Sequence, residues 1–148
     1  MKRVGLFCGG FSSEFEISMK SAQTIEAHFP SDYAIVKIEV TKNGWFALES
    51  GERIPFSLDT FSYPYKSEEK KIDVGLIYIH GNPGENGKVQ ALLDIKGIPY
   101  VNSSALASEL SFDKWYCNQF LKNFDIPVAK SLFLRSKTEF SNEKQSLF

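Results

Sequence analysis

Residues 73–101, DVGLIYIHGNPGENGKVQALLDIKGIPYV, decide how this chain is read. They run without interruption from a buried strand through a glycine-punctuated polar loop and a helix to a second short strand. Residues 74–79 are almost unbroken apolar sequence, too short for a helix and rich in β-branched side chains, as expected of a parallel strand covered on both faces. The run stops at His80. The loop from His80 to Gly87 carries three glycines, which allow positive φ and close approach to a ligand, and it holds an imidazole and the Glu85 carboxylate. In open α/β sheets ligands sit at the carboxyl ends of strands, where this loop falls. A helix is predicted over 89–96, with Val89, Leu92 and Leu93 on one face and Gly97 just past its end, and residues 98–101 return to the sheet.

The remaining composition narrows the class. At 148 residues the chain is long enough for one domain with a genuine core, and a net charge of −1 without a basic cluster argues against nucleic acid or an anionic membrane surface as a partner. No apolar run is long enough to span a bilayer, and Met1-Lys2-Arg3 leads straight into a short strand, so a cytoplasmic protein is expected. Cys8 and Cys117 have neither metal-ligand nor disulfide-framework spacing.

Working outward, residues 4–8 read as a first strand ended by Gly9-Gly10, and Ser13 with Glu16 forms a capping box ahead of a helix over 18–28. Residues 33–40 alternate as a second strand. Asn43-Gly44 signals a hairpin into an added antiparallel strand at 45–48, and Ser50-Gly51 a further turn into Ile54-Pro55-Phe56. Residues 57–71 read as a surface excursion with Phe61, Tyr63 and Tyr65 folded back on the core, a docking loop being the alternative. Ser103 or Ser104 is expected to cap a short helix through Leu110, and Ser111 another whose buried stripe is Phe112, Trp115, Phe120 and Phe124. Residues 128–135 read as a strand; the polar segment 136–148 has no evident partner. The expected class is therefore α/β: a mainly parallel open sheet with helices on both faces, plus an antiparallel hairpin strand.

If strands 4–8 and 74–79 are neighbours, the loops at 9–14 and 80–87 converge on one pocket. Glu14 there suits a cationic group such as a substrate ammonium, or is a plain capping acid. His80 either orients an anion or ties down its loop, and Glu85 braces the loop. Lys114, in the first turn of a helix, is arranged to hold a phosphate or is compensated by Asp113. A dinucleotide fold is disfavoured because GxGxxG is absent, and neither GxxxxGK[ST] nor GxSxG occurs.

Three segments, GLFCGGFSSEFEIS (5–18), HGNPGENGKVQALLDIKGIPYVNSS (80–104) and ELSFDKWYCNQFLKNFDIPVAKS (109–131), resemble in order and spacing the N-terminal part of D-alanine:D-alanine ligases of the ATP-grasp superfamily. The resemblance implies a Rossmann-like substrate-binding domain over 1–127 and the start of a central ATP-grasp domain over 128–148. It implies Glu14 against the ammonium of the first D-alanine and His80 beside the reacting carboxylate as the catalytic pair. Ser18 and Gly81 complete the substrate-binding set, and Lys114 reaches the phosphates of ATP. It further implies Mg2+, held by residues of a C-terminal part this chain lacks, a homodimer, and a role in peptidoglycan synthesis, with the 148-residue chain alone inactive. Asn86 stands where the family usually has Asp. Ligation of D-alanine to D-lactate or D-serine, and a non-catalytic binding or dimerisation module, are the alternatives.

Overall fold

The computed structural model describes residues 1–134, which divide into two compact units, Met1–Glu109 and the segment from Leu110 onward. In the first unit, strands β1 (Arg3–Gly9), β2 (Ala34–Thr41), β3 (Gly44–Glu49), β4 (Glu52–Pro55) and β7 (Val74–Ile77) form one sheet in the order β4-β3-β2-β1-β7. β1 runs parallel to both β2 and β7, whereas β2–β3 and β3–β4 are antiparallel. The sheet is therefore mixed and not mainly parallel. The reason is local: the turn at Asn43 returns the chain beside β2, and Ser50-Gly51, both at positive φ, returns it again.

Alternation along β1 assigns the two faces. Leu6 and Cys8 pack with Ala22, Met19 and Ile25 of α1 (Phe15–Ala27), while Phe7 points the other way into the main core with Val36, Ile38 and Val40. Val89 and Leu93 of α2 (Lys88–Lys96) join that main core, so helices do cover both faces. α1 begins at Phe15, with Glu14 as the N-cap and no side-chain cap bond, so the expected Ser13–Glu16 box does not form.

Residues 57–71 are more ordered than expected. β5 (Ser62–Tyr65) and β6 (Glu68–Lys71) pair as a separate antiparallel hairpin, burying Phe61, Tyr63 and Tyr65 as foreseen. Its turn uses Lys66 and Ser67 at φ 49° and 63°, without the glycine or asparagine that announces such turns. Glu49 of β3 anchors the hairpin by accepting from Tyr63 Oη and, at 2.8 Å, from Lys70 Nζ.

Residues 98–101 are not a strand. Gly75 N–H donates to Pro99 O and Val101 N–H to Gly75 O, after which the Asn102 side chain replaces the ladder, accepting from Ile77 N–H at 2.7 Å and donating to Ile77 O at 2.8 Å. Pro99 has no N–H with which to extend the pairing.

α3 (Ala105–Phe112) follows. α4 (Lys114–Lys122) is capped by Asp113, which accepts from Trp115 and Tyr116 N–H, and not by Ser111. The stripe expected to be buried is not: Phe112, Phe120 and Phe124 are exposed and no α4 residue is buried. Phe120 and Phe124 meet each other with centroids 5.1 Å apart, and Trp115 meets Phe133 at 5.5 Å. Residues 128–134 carry no regular structure, contrary to the strand expected at 128–135, since no strand among the described residues pairs with them. The segment 136–148 lies outside the described residues.

Candidate functional site

Neighbouring parallel strands β1 and β7 deliver the loops after Gly9 and Ile77 to the same end of the sheet. Gly9 and Gly10, at φ 87° and 103°, turn the first loop across the second. A Cβ on Gly10 would fall 2.4 Å from Ile79 Cγ2, so only glycine permits this approach. The loops are then bonded at successive levels. Deepest is Ser18 of α1, fully buried, whose Oγ accepts from Gly9 N–H at 2.8 Å and donates to Tyr78 O. Above it Phe11 N–H donates to Asn82 O at 2.8 Å. Ser12 Oγ accepts from Glu14 N–H at 3.2 Å and donates to His80 O at 2.8 Å.

The second loop is braced from within. Glu85 accepts from Gly81 N–H through its carboxylate, and Glu85 N–H donates to Gly81 O, each at 2.8 Å. Asn86 is buried, with Nδ2 donating to Asn82 Oδ1 at 3.0 Å, a bond that a carboxylate at position 86 cannot donate. Gly87, left-handed at φ 75°, starts α2; a Cβ there would meet Ala105 O at 2.4 Å. The His80 ring lies edge-on to Tyr78 with centroids 5.6 Å apart.

Of the residues singled out in the sequence, Glu14, His80 and Gly81 thus share one rim, and Ser18 lies beneath it with its hydroxyl engaged by both loops. Glu14 is exposed, and its carboxylate makes no bond to the helix it precedes. This leaves an anionic side chain over the start of α1 and a half-buried imidazole across the rim, an arrangement suited to a small zwitterion. Two clefts, of about 350 Å³ beside Lys37 and Arg53 and about 270 Å³ beside Asn86 and Leu106, are lined by neither Glu14 nor His80. Ser12, whose hydroxyl ties the rim together, was legible only as part of a polar run after Gly-Gly.

Lys114 belongs to the second unit. Its Nζ donates to Ser111 O at 2.8 Å, while Asp113 occupies the first N–H groups of α4. No group of three or more His, Cys, Asp or Glu among the described residues could hold a metal ion. Cys8 is unsuited to thiolate chemistry, since burial pushes its thiol up to about 12. No helix among the described residues is long and apolar enough to cross a membrane.

Comparison with known proteins gives this geometry its context. A curated D-alanine--D-alanine ligase from Phocaeicola vulgatus is 39% identical over 147 residues, covering 97% of this chain and 45% of the relative. D-alanyl-alanine synthetase A from Vibrio cholerae superposes with a TM-score of 0.80 at 34% identity, over 91% of this chain and 41% of that one. A Bacillus anthracis D-alanine--D-alanine ligase complexed with ATP gives 0.66 at 28% identity, over 88% and 39%. The chain thus spans less than half the length of these relatives. Residues 3–103 match the family model described as the D-ala D-ala ligase N-terminus, and the chain belongs to that family.

Proposed function

We propose that this chain is the first-substrate-binding part of an ATP-dependent ligase that joins two D-alanines, through an acyl phosphate of the first, into the dipeptide used for peptidoglycan. The observation that carries the reading is the shared rim: one serine hydroxyl joins the backbones of Glu14 and His80 where two parallel strands end. Family membership and ligase relatives support the reaction class. Glu14 accepts hydrogen bonds from the ammonium of the first D-alanine and fixes its orientation. His80 lies beside its carboxylate, where an imidazole neutralises developing negative charge. Gly81, without a side chain, leaves the rim open to the substrate, and Ser18 sets the floor of the site.

Lys114 contributes one contact to the ATP phosphates. In this reading residues 1–127 serve the amino acid and 128–148 begin the nucleotide-binding part, while Mg2+ is held by the C-terminal part of the ligase. The ligase works in the cytoplasm, where ATP is available, and pairs as a homodimer, a state that sedimentation of the complete protein reads directly.

Glu14→Gln in the complete ligase tests the assignment. It keeps shape and one hydrogen bond but removes the charge, and a charge-assisted contact is typically worth roughly 1.5 to 3 kcal/mol. The expected result is a loss of about ten- to a hundredfold in kcat/KM for the first D-alanine, with ATP affinity and melting temperature unchanged. A lowered melting temperature with intact kinetics would make Glu14 a structural acid only.

A further inference from the structure

Beyond the residues that face the substrate, the two loops are held by a pair of serine hydroxyls in parallel roles. Ser18, inside the core, bonds Gly9 N–H on the β1 side and Tyr78 O on the β7 side. Ser12, half-exposed at the rim, repeats the pattern with Glu14 N–H and His80 O. A hydroxyl that accepts one bond and donates another must hold both partners in register, because each bond requires a short distance and a defined direction. At Ser12 those partners are the backbones of the two residues assigned to the ammonium and the carboxylate. The loops are close-packed beside this serine as well, since a Cβ on Gly81 would fall 3.1 Å from Ser12 Cβ.

We propose that Ser12 is a positioning residue that fixes the separation of Glu14 from His80 and thereby the fit of a small α-amino acid between them. The inference rests on the reading of Glu14 and His80 as the first-substrate site. Ser12 itself touches no substrate. Its hydroxyl is spent on two backbone groups, and removing it leaves the Glu14 N–H and the His80 carbonyl to water, free to drift apart. Misplacement of reacting groups by about 1 Å can cost on the order of a hundredfold in rate. The core bonds of Ser18 remain, so the loops stay attached and the fold is kept.

A double-mutant cycle in the complete ligase tests this, with kcat/KM for the first D-alanine and the melting temperature measured for Ser12→Ala, Ser12→Thr, Glu14→Gln and Ser12→Ala/Glu14→Gln. Ser12→Ala is expected to lose about ten- to a hundredfold with a nearly unchanged melting temperature and unchanged KM for ATP. Ser12→Thr, which keeps the hydroxyl, is expected to recover most of that loss. Because Ser12 acts through Glu14, adding Ser12→Ala to Glu14→Gln should cost less than about threefold more. Fully additive losses, unaltered kinetics in Ser12→Ala, or a large drop in its melting temperature would each overturn the proposal. If Glu14→Gln alone keeps full kcat/KM, the substrate-site reading fails and takes this proposal with it. If Glu14→Gln is impaired while Ser12→Ala is not, the site stands and only the role of Ser12 falls.

Discussion

The rim built by β1 and β7 and the helix α4 both place a charged side chain at a helix start, yet they are held by opposite means. At the rim the bonds that join one loop to the other link residues far apart in sequence: Ser18 to Tyr78, Ser12 to His80, Phe11 to Asn82, with Gly10 pressed on Ile79. At α4 most bonds span only a few residues, Asp113 to Trp115 and Tyr116 and Lys114 to Ser111, with Asn118 reaching on to Ser131, and no residue of the helix is buried. Through Ser12, the rim bonding ties the backbone of Glu14 to that of His80. Lys114 stands on a helix whose Tyr116 and Phe120 rings are exposed. In the reading proposed above, the first region is a substrate site held ready by its own loops, and the second contributes Lys114 to the ATP phosphates.

The contrast implies a graded series of substitutions. Gly10→Ala combines a left-handed backbone with a Cβ 2.4 Å from Ile79 Cγ2, and should destabilise the first unit by about 3 kcal/mol, read as a lower urea midpoint. Ser18→Ala removes one hydroxyl and strands the Gly9 N–H in the core, for a loss of about 2 kcal/mol in the same measurement. Asp113→Ala removes a side-chain cap and should weaken α4 by ~1 kcal/mol. That loss is visible as faster amide exchange in residues 114–122 with the urea midpoint of the first unit unchanged. A Gly10→Ala effect no larger than that of Asp113→Ala would erase the distinction between the two regions.

A smaller effect comes from the hairpin, whose attachment is intermediate between the two. Burial pushes the Glu49 carboxyl up, but hydrogen bonds from Lys70 and Tyr63 and the charges of Lys70 and Arg3 outweigh it and hold the group below its ordinary value of 4.5. The folded pKa is depressed, so this contribution is fully present above 4.5 and fades as pH falls through the lower folded value. Tyrosine fluorescence of the hairpin should show a modest acid transition below pH 4.5 that Glu49→Gln removes.

Sequence patterns announced what depends on runs and spacing. The alternation of β2, the apolar run of β7, the Asn-Gly turn and Gly97 after α2 all resolved close to their expected places. The convergence of the 9–14 and 80–87 loops followed from calling the first and third strands neighbours. What stayed hidden depends on tertiary substitution of one group for another. Asn102 taking over a sheet ladder leaves no periodic trace. The β5–β6 turn uses Lys66 and Ser67 where glycine would have been a signal, so the strand Glu68–Lys71 lies hidden within the surface excursion expected over 57–71. The motifs all fall outside β3 and β4, so the antiparallel β2–β3 and β3–β4 pairs carry little weight in the sequence. The α4 stripe was read as buried from spacing alone, although spacing names a face without supplying what covers it. Ser12 is invisible for a related reason, since a serine after Gly-Gly has many uses and only its partners reveal this one.

The most direct measurement is a crystal structure of the complete ligase with D-alanine bound and a non-hydrolysable ATP analogue in place. The preorganised-rim account requires the ammonium of the first D-alanine within about 2.7 to 2.9 Å of the Glu14 carboxylate, its carboxylate beside His80, and the Ser12 and Ser18 bonds unchanged from those described above. D-alanine bound elsewhere, or loops that separate and rebuild around the ligand with Glu14 turned to solvent, would contradict it.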